Sequence, residues 1–454
     1  MRMNIIKNLS ITILFALVLK TGYIALYNGR KYTKAAMSQR TEEIIIKKPR
    51  GIIYDRNMLK ITDARLKLIN VEGVLPFYVN KRYNDGILSH VVGYISDDGG
   101  FGIEKAFDEL LKKDEYDTIS LIKDAKIKII EDKGYKIKEG KIYSGIKLSI
   151  NYHIQKIVEN AMDNGKINGA AVVVDPKTGD ILAMASRPNF KQDDIAKYLK
   201  SENGELLNRA VCAYNVGSVF KVLIASAALE NGFTHEMQFH CSGKINIDGR
   251  DFVCNKEEGH GDITLEQALA LSCNSVFYEV GNAIGIKNIA NYAKLFGFGQ
   301  EVLNINGLYE AKGNIPSNLK ASSQEIANIS IGQGDVMVTP LQIADMICTI
   351  VNNGTRKQLT LIKSMVDENG NYSDVKPVIL GDVVSKDTAR VVKNMMVCTV
   401  KYGTGRTADI TNFSAGGKTG SAETGWLKNG ELMTHGWFAG FFPQQNPEYV
   451  CVVL

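Results

Sequence analysis

The sequence predicts an α+β fold (an α/β sandwich), with a central antiparallel sheet covered by helices and one membrane helix at the N-terminus. Three observations lead there. Strand-like runs at 169–186 and over the last 50 residues bracket a largely helical middle. One sheet built from both ends of a domain, with the middle packed over it, buries those runs. A small region of short strands with Gly and Asp turns precedes that domain, and the chain opens on an apolar segment.

That segment, "LSITILFALVLKTGYIALY" (9–27), has 19 residues, enough to cross a bilayer core as a helix. Its one charge, Lys20, costs about 2.5–3.5 kcal/mol at mid-membrane and less where it can snorkel to an interface. No small-x-small cleavage pattern follows, which predicts an uncleaved signal anchor. Arg2 and Lys7 precede the segment and Arg30, Lys31 and Lys34 follow it, so charge alone does not orient it. The expected organisation is a short tail and anchor at 1–30, a small elongated α+β region at 31–147 and a larger domain at 148–454.

Bulk composition narrows the function classes. At 45% hydrophobic and 23% charged, the chain is not disordered as a whole. A net charge of +5 without a basic block gives no nucleic-acid footprint.

Within 31–147, "PRGIIYDRN" (49–57) ends in a turn, and its Asp55 is expected to pair with an arginine and brace the region. The runs "KLINVEGV" (67–74), "AKIKII" (125–130) and "GYKIK" (134–138) read as strands. Next, "GIKLSINYHIQKIVENAMDNG" (145–165) reads as a short strand and an amphipathic helix. In 169–186, apolar residues flank Asp175-Pro176-Lys177-Thr178-Gly179, which predicts a hairpin.

Three motifs carry chemistry. In "GSVFK" (217–221), Ser218 and Lys221 share one face at the start of an apolar helix. A lysine buried away from carboxylates loses solvation of its charged form, so its pKa falls and it can deprotonate a serine. In "HGDITLEQALALSCNSVF", Thr264 and Gln267 form a capping-box pattern, and Ser272-Cys273-Asn274 falls in the turn before the next helix. A serine and an asparagine there can relay a proton and bind an amide. In "GGKTGSAE" (416–423), glycines leave a strand edge open, with Lys418 offering a cation and Thr419 a hydroxyl. Singly, each is also an ordinary helix start, turn or strand end.

Their order is more specific than any one of them. S-x-x-K, then S-x-N 54 positions on, then K-T-G 146 positions beyond, is the serine acyltransferase set of β-lactamases and penicillin-binding proteins. The chain resembles class B penicillin-binding proteins, the peptidoglycan D,D-transpeptidases. "PRGIIYDRN", "HVVGY" (90–94) and "FGIEKAFDELL" (101–111) are similar to their pedestal signatures. "DPKTGDILAMASRPNF", "NRAVCAYNVGSVFK", "GQGDVMVTPLQIA" (332–344), "KYGTGRTA" (401–408) and "HGWFAGFFP" (435–443) are similar to those of the transpeptidase domain. Val216 and Val219 stand where the family usually has Pro and Thr. The family also continues into a closing C-terminal helix, whereas this sequence ends at "EYVCVVL".

The resemblance implies a transpeptidase domain at 148–454, a pedestal at 31–147 and an acyl-enzyme on Ser218. Lys221 would be the base, Ser272 and Asn274 would relay protons and bind substrate, and Lys418 and Thr419 would hold the carboxylate of a D-Ala-D-Ala stem peptide. Backbone N–H groups of Ser218 and Ser421, beside Gly420, would form the oxyanion hole. It further implies β-lactam binding, an acceptor amine, a cytoplasmic N-terminus, an extracytoplasmic catalytic domain, a membrane glycan polymerase as partner and no cofactor for the chemistry. Three relatives share the motifs. A β-lactamase normally lacks residues like 31–150, a β-lactam-sensing receptor has several membrane spans, and a D,D-carboxypeptidase lacks these pedestal signatures.

Seven cysteines, at 212, 241, 254, 273, 348, 398 and 451, leave at least one out of any set of disulfides. Cys241, Cys254, His260 and Cys273 are spaced C-x12-C-x5-H-x12-C. Three thiolates and an imidazole suit a closed tetrahedral structural zinc site. A Cys241–Cys254 disulfide and four unrelated side chains are the alternatives.

Overall fold

The computed structural model describes residues 2–454 except 48–49, 63–65, 70–76, 81, 84–85, 97–98, 113–115, 123–134, 138–144, 304, 317–319, 368–370, 411–413 and 429. The strand expected at 125–130 lies outside the described residues, as do parts of those at 67–74 and 134–138.

Two compact units divide the chain. One comprises Met1–Arg50 and Lys112–Tyr143, the other Gly51–Leu111 and Ser144–Leu454. In the first, helix Arg2–Tyr23 runs through a π-turn at Ile24–Asn28 into helix Gly29–Arg40. Among the described residues, this is the one helix long and apolar enough to cross a membrane. Strand Thr41–Lys47 then pairs antiparallel with Tyr116–Ile122, which also pairs with Tyr135–Ile137.

The second unit is built on five strands: β1 (Ala170–Asp175), β2 (Asp180–Ser186), β3 (Gly416–Lys428), β4 (Glu431–Phe442) and β5 (Tyr449–Val453). Their order is β2-β1-β5-β4-β3, with every pair antiparallel. The two ends of the domain thus make one sheet, as their strand patterns predict. β1 and β2 are nearly all buried because both faces are covered.

Helix α1 (Tyr152–Asn164) packs against β2. Asn151 starts it by accepting the N–H groups of His153 and Ile154. Over the other face lie α2 (Lys221–Glu230), α3 (Leu265–Ala270), α4 (Asn274–Leu295), α5 (Pro340–Val351) and α6 (Lys386–Lys401). α2 is buried on all sides up to Ala228, so its hydrophobic pattern has no polar face. Two antiparallel ribbons interrupt the helices: Gln238–Cys241 with Gly261–Thr264, and Lys244–Ile247 with Arg250–Val253.

Residues 51–111, assigned to the pedestal on sequence, share their compact unit with the five-stranded sheet. Among the described residues, Asp55 pairs with no arginine. Its buried carboxylate accepts the N–H groups of Asn57 and Leu59 at 2.8 Å, and that of Tyr152, the first residue of α1, at 3.3 Å. Three donors that would otherwise be unpaired satisfy it. Its neighbour Arg56 turns instead to Asp180, at 3.6 Å.

Candidate active site

Ser218 sits in the single 3₁₀ turn Gly217–Phe220 that leads into α2. Gly217 has φ +58, and a Cβ there would lie 2.6 Å from the Ser421 carbonyl oxygen. Glycine is therefore needed twice over, for its left-handed backbone and for the close approach of this loop to β3. That approach sets the backbone of Gly217, the residue before Ser218, against that of Ser421. Among the described residues, the Ser218 hydroxyl has no hydrogen-bond partner.

Lys221 is fully buried. Its Nζ donates to the Ser272 carbonyl at 2.7 Å and to Asn274 Oδ1 at 2.6 Å, with Ser272 Oγ more distant at 3.4 Å. The ring of Phe277 lies 5.4 Å from it. Burial pulls its pKa down to about 7, against the opposing influence of Cys273 and Cys254. A neutral amine has two N–H bonds and one lone pair. The two short contacts take both N–H bonds, which leaves the lone pair for a proton from Ser218, one turn away.

Ser272 and Asn274 are presented as the turn predicts. The capping box of Thr264 and Gln267 starts α3, and α4 begins at Asn274. Between them Ser272 takes φ +57, held by Ser272 N–H to Leu269 O and Cys273 N–H to Ala268 O. A non-glycine residue in this left-handed region is uncommon, and such outliers cluster at functional sites.

Lys418 on β3 is fully buried and donates to Ser272 Oγ at 3.0 Å and to the Thr419 carbonyl at 2.8 Å. Burial first, then the nearby Lys221, holds its pKa well below the usual lysine range. The expected direct cation for a carboxylate therefore lies beneath the surface. The accessible polar group is a hydroxyl pair: Thr419 Oγ1 and Thr404 Oγ1 are 2.6 Å apart. Thr404 follows α6 and is tied by its N–H to Ala270 at the end of α3, so it links the turn of Ser272 to β3. It lies within "KYGTGRTA", and only the fold gives it a role. Gly420 packs its backbone on Val216 and Val219, where a Cβ would meet atoms at 3.0 Å.

The ribbons bring Cys241, Cys254, His260 and Cys273 together, with one donor atom from each all within 4.8 Å of one another. His260 Nδ1 lies 3.6 Å from both Cys241 Sγ and Cys254 Sγ, and the Cys254 and Cys273 sulfurs are 3.7 Å apart. All seven cysteines are free, so the Cys241–Cys254 disulfide is not formed. Cys254 Sγ accepts the N–H of Asn274 at 3.3 Å, and the hydrogen bond from Cys273 holds it on the thiolate side. The cluster thus abuts the turn that carries Ser272 and Asn274.

A hidden lysine beside a serine, joined through a second serine to a second lysine on a strand, is the geometry of an acyl-transfer site. The model of the penicillin-binding protein transpeptidase domain matches residues 169–454. The chain belongs to the penicillin-binding protein transpeptidase family. It is 31% identical over 418 residues to stage V sporulation protein D of Bacillus subtilis, covering 87% of this chain and 63% of that one. Peptidoglycan D,D-transpeptidase MrdA of Acinetobacter baumannii is 26% identical, over 92% of this chain and 68% of its own. The chain thus spans about two thirds of the length of both relatives. Among solved structures, the D,D-transpeptidase domain of a peptidoglycan glycosyltransferase from Eggerthella lenta superposes with a TM-score of 0.74 at 28% identity. That match covers 90% of this chain and 93% of the other.

Proposed function

We propose that the chain is a membrane-anchored serine D,D-transpeptidase that cross-links peptidoglycan stem peptides. The observation that carries this reading is the buried Lys221, lowered to about 7 one turn from Ser218, with both of its short contacts to acceptors. Ser218 Oγ gives its proton to Lys221 Nζ and attacks the carbonyl between the two D-Ala residues. The N–H groups of Ser218 and Ser421 hold the oxyanion, at about 2.7–4 kcal/mol per donor. Ser272 Oγ then passes a proton to the departing D-Ala amine and is reprotonated from Lys221, which holds the proton taken from Ser218. Thr419 and Thr404 hold the terminal carboxylate. An acceptor amine reverses these steps to form the cross-link. A β-lactam enters the same first step and stays on Ser218. Release of D-Ala from a D-Ala-D-Ala donor, with a matching amide product on an added amine, tests the reading; hydrolysis alone would favour a carboxypeptidase. The N-terminal helix, long and apolar enough to cross a membrane, supports a single-pass anchor, and the resemblance to class B penicillin-binding proteins would put the catalytic unit outside the cell beside a membrane glycan polymerase.

We also propose that Cys241, Cys254, His260 and Cys273 hold a structural zinc ion. Four ligands at roughly 2.0–2.3 Å from a tetrahedral centre stand roughly 3.5–3.8 Å from one another. Three of the six donor separations, at 3.6, 3.6 and 3.7 Å, fit that cage, and all six lie within 4.8 Å. The ion would take no part in the chemistry; its ligand Cys273 would fix the turn between Ser272 and Asn274.

A further inference from the structure

His435 is a half-buried imidazole to which the mechanism above gives no task. It stands on β4 opposite Ala422 of β3, one step beyond the Ser421–Gly436 pair. Alternation along the strands puts Lys418, Gly420 and Ala422 on one face, with Trp437 and His435 beside them. That face packs on the loop ahead of Ser218. A Cβ on Gly217 would lie 3.2 Å from that of Ala422, and Trp437 Nε1 donates to the Asn215 carbonyl at 2.9 Å. Tyr214 of the same loop meets the imidazole edge to face, with ring centroids 5.0 Å apart.

The Nδ1 atom of His435 is buried with no hydrogen-bond partner among the described residues. An unpaired buried polar atom is rare enough to call for an explanation. Burial, its one cause, keeps the imidazole below its usual pKa, so it is neutral near pH 7. The titratable group facing it, Tyr214, is kept un-ionised, chiefly by burial.

Aminolysis releases one proton more than the relay through Ser272 and Lys221 returns to Ser218. An acceptor amine arrives in water as an ammonium ion and ends as an amide nitrogen, having lost two protons. One returns through Ser272 and Lys221 to Ser218 Oγ as the acyl bond breaks. The other must leave before the nitrogen lone pair can attack. Water, by contrast, attacks with its lone pair already free, so hydrolysis has no such first step.

We propose that His435 accepts that first proton from the acceptor ammonium, which places the acceptor on the β4 side of Ser218 and makes it a charged primary amine. The inference rests on the transpeptidase reading. Its test is the ratio of aminolysis to hydrolysis products, measured on the full chain in detergent with a D-Ala-D-Ala-type ester donor and a D-amino acid acceptor. In the wild type the ratio rises with pH as the imidazole loses its proton, below its usual pKa of about 6.5. In His435→Gln it falls at least about tenfold near pH 7, a modest share of what a positioned base supplies. Added imidazole restores part of it in His435→Ala. An unchanged ratio in His435→Gln overturns the proposal. Should that variant fail to fold, a wild-type ratio that is flat across that titration overturns it instead. Wild-type protein that takes no penicillin on Ser218 would sink the transpeptidase reading itself, a separate failure.

Discussion

Lys418 Nζ lies 3.0 Å from Ser272 Oγ, which also stands 3.4 Å from Lys221 Nζ, and all three residues are buried. Two lysines around one hydroxyl cannot both carry charge without large cost, and both are shifted toward the neutral form. Acylation needs Lys221 as the free base. Its rate should rise about tenfold per pH unit below pH 7 and level off above it, because the pKa of Lys221 is about 7. Stopped-flow acylation by a chromogenic cephalosporin across that range checks this. A rate independent of pH would contradict the role of Lys221.

Thr404 and Thr419 share a short hydroxyl contact at the mouth of the site. Thr404→Val should weaken carboxylate-bearing donors roughly tenfold, the value of one hydrogen bond to a charged group. The effect should appear in KM more than in kcat and vanish for a donor whose carboxylate is methylated. Combining it with Thr419→Val should cost less than the sum, because the pair acts on one group.

Metal analysis of the purified protein should find about one equivalent of zinc. Chelation, or Cys241→Ser, should remove it and lower the melting temperature. His260→Ala should do the same. Metal-free protein of unchanged stability would leave the cluster as packed thiols.

His90 gives a stability signature. Burial is the main cause of its pKa falling to about 4, and its Nε2 donates to the Glu205 carbonyl at 2.7 Å. Above pH 6.5 the imidazole is neutral in both folded and unfolded chains and contributes no slope. As pH falls from 6.5 towards 4, the unfolded chain binds a proton that the folded one refuses. Stability then drops, by up to about 3 kcal/mol. Urea melts of wild type and His90→Gln at several pH values measure this, and the variant should lose that part of the slope.

The sequence makes the chemistry legible because its signals are local: a serine and a lysine one turn apart, a capping box at Thr264 and Gln267, a hairpin around Asp175–Gly179. The sheet is legible too, since its strands occupy the ends of one domain. Other features depend on distant packing. Thr404 gains meaning only when α6 delivers it to β3, and Lys418 is buried by helices distant in sequence. The Asp55 carboxylate finds its donors in a turn and in α1, which spacing to an arginine does not reveal. The ribbon around Asp248-Gly249 falls in a middle that reads as largely helical, although that dipeptide is a hairpin signal, with both residues at positive φ. Its strands are only four residues each and lie within a helix-rich stretch.

The central claim is that Ser218 is the acyl-accepting nucleophile, and the mass of the protein after incubation with benzylpenicillin tests it most directly. The account predicts one stable adduct on the full chain, mapped by proteolysis to the peptide holding Ser218. It should be absent in Ser218→Ala and nearly so in Lys221→Ala, with both variants folded. An adduct that persists in Ser218→Ala, or one that maps to another residue, would contradict it.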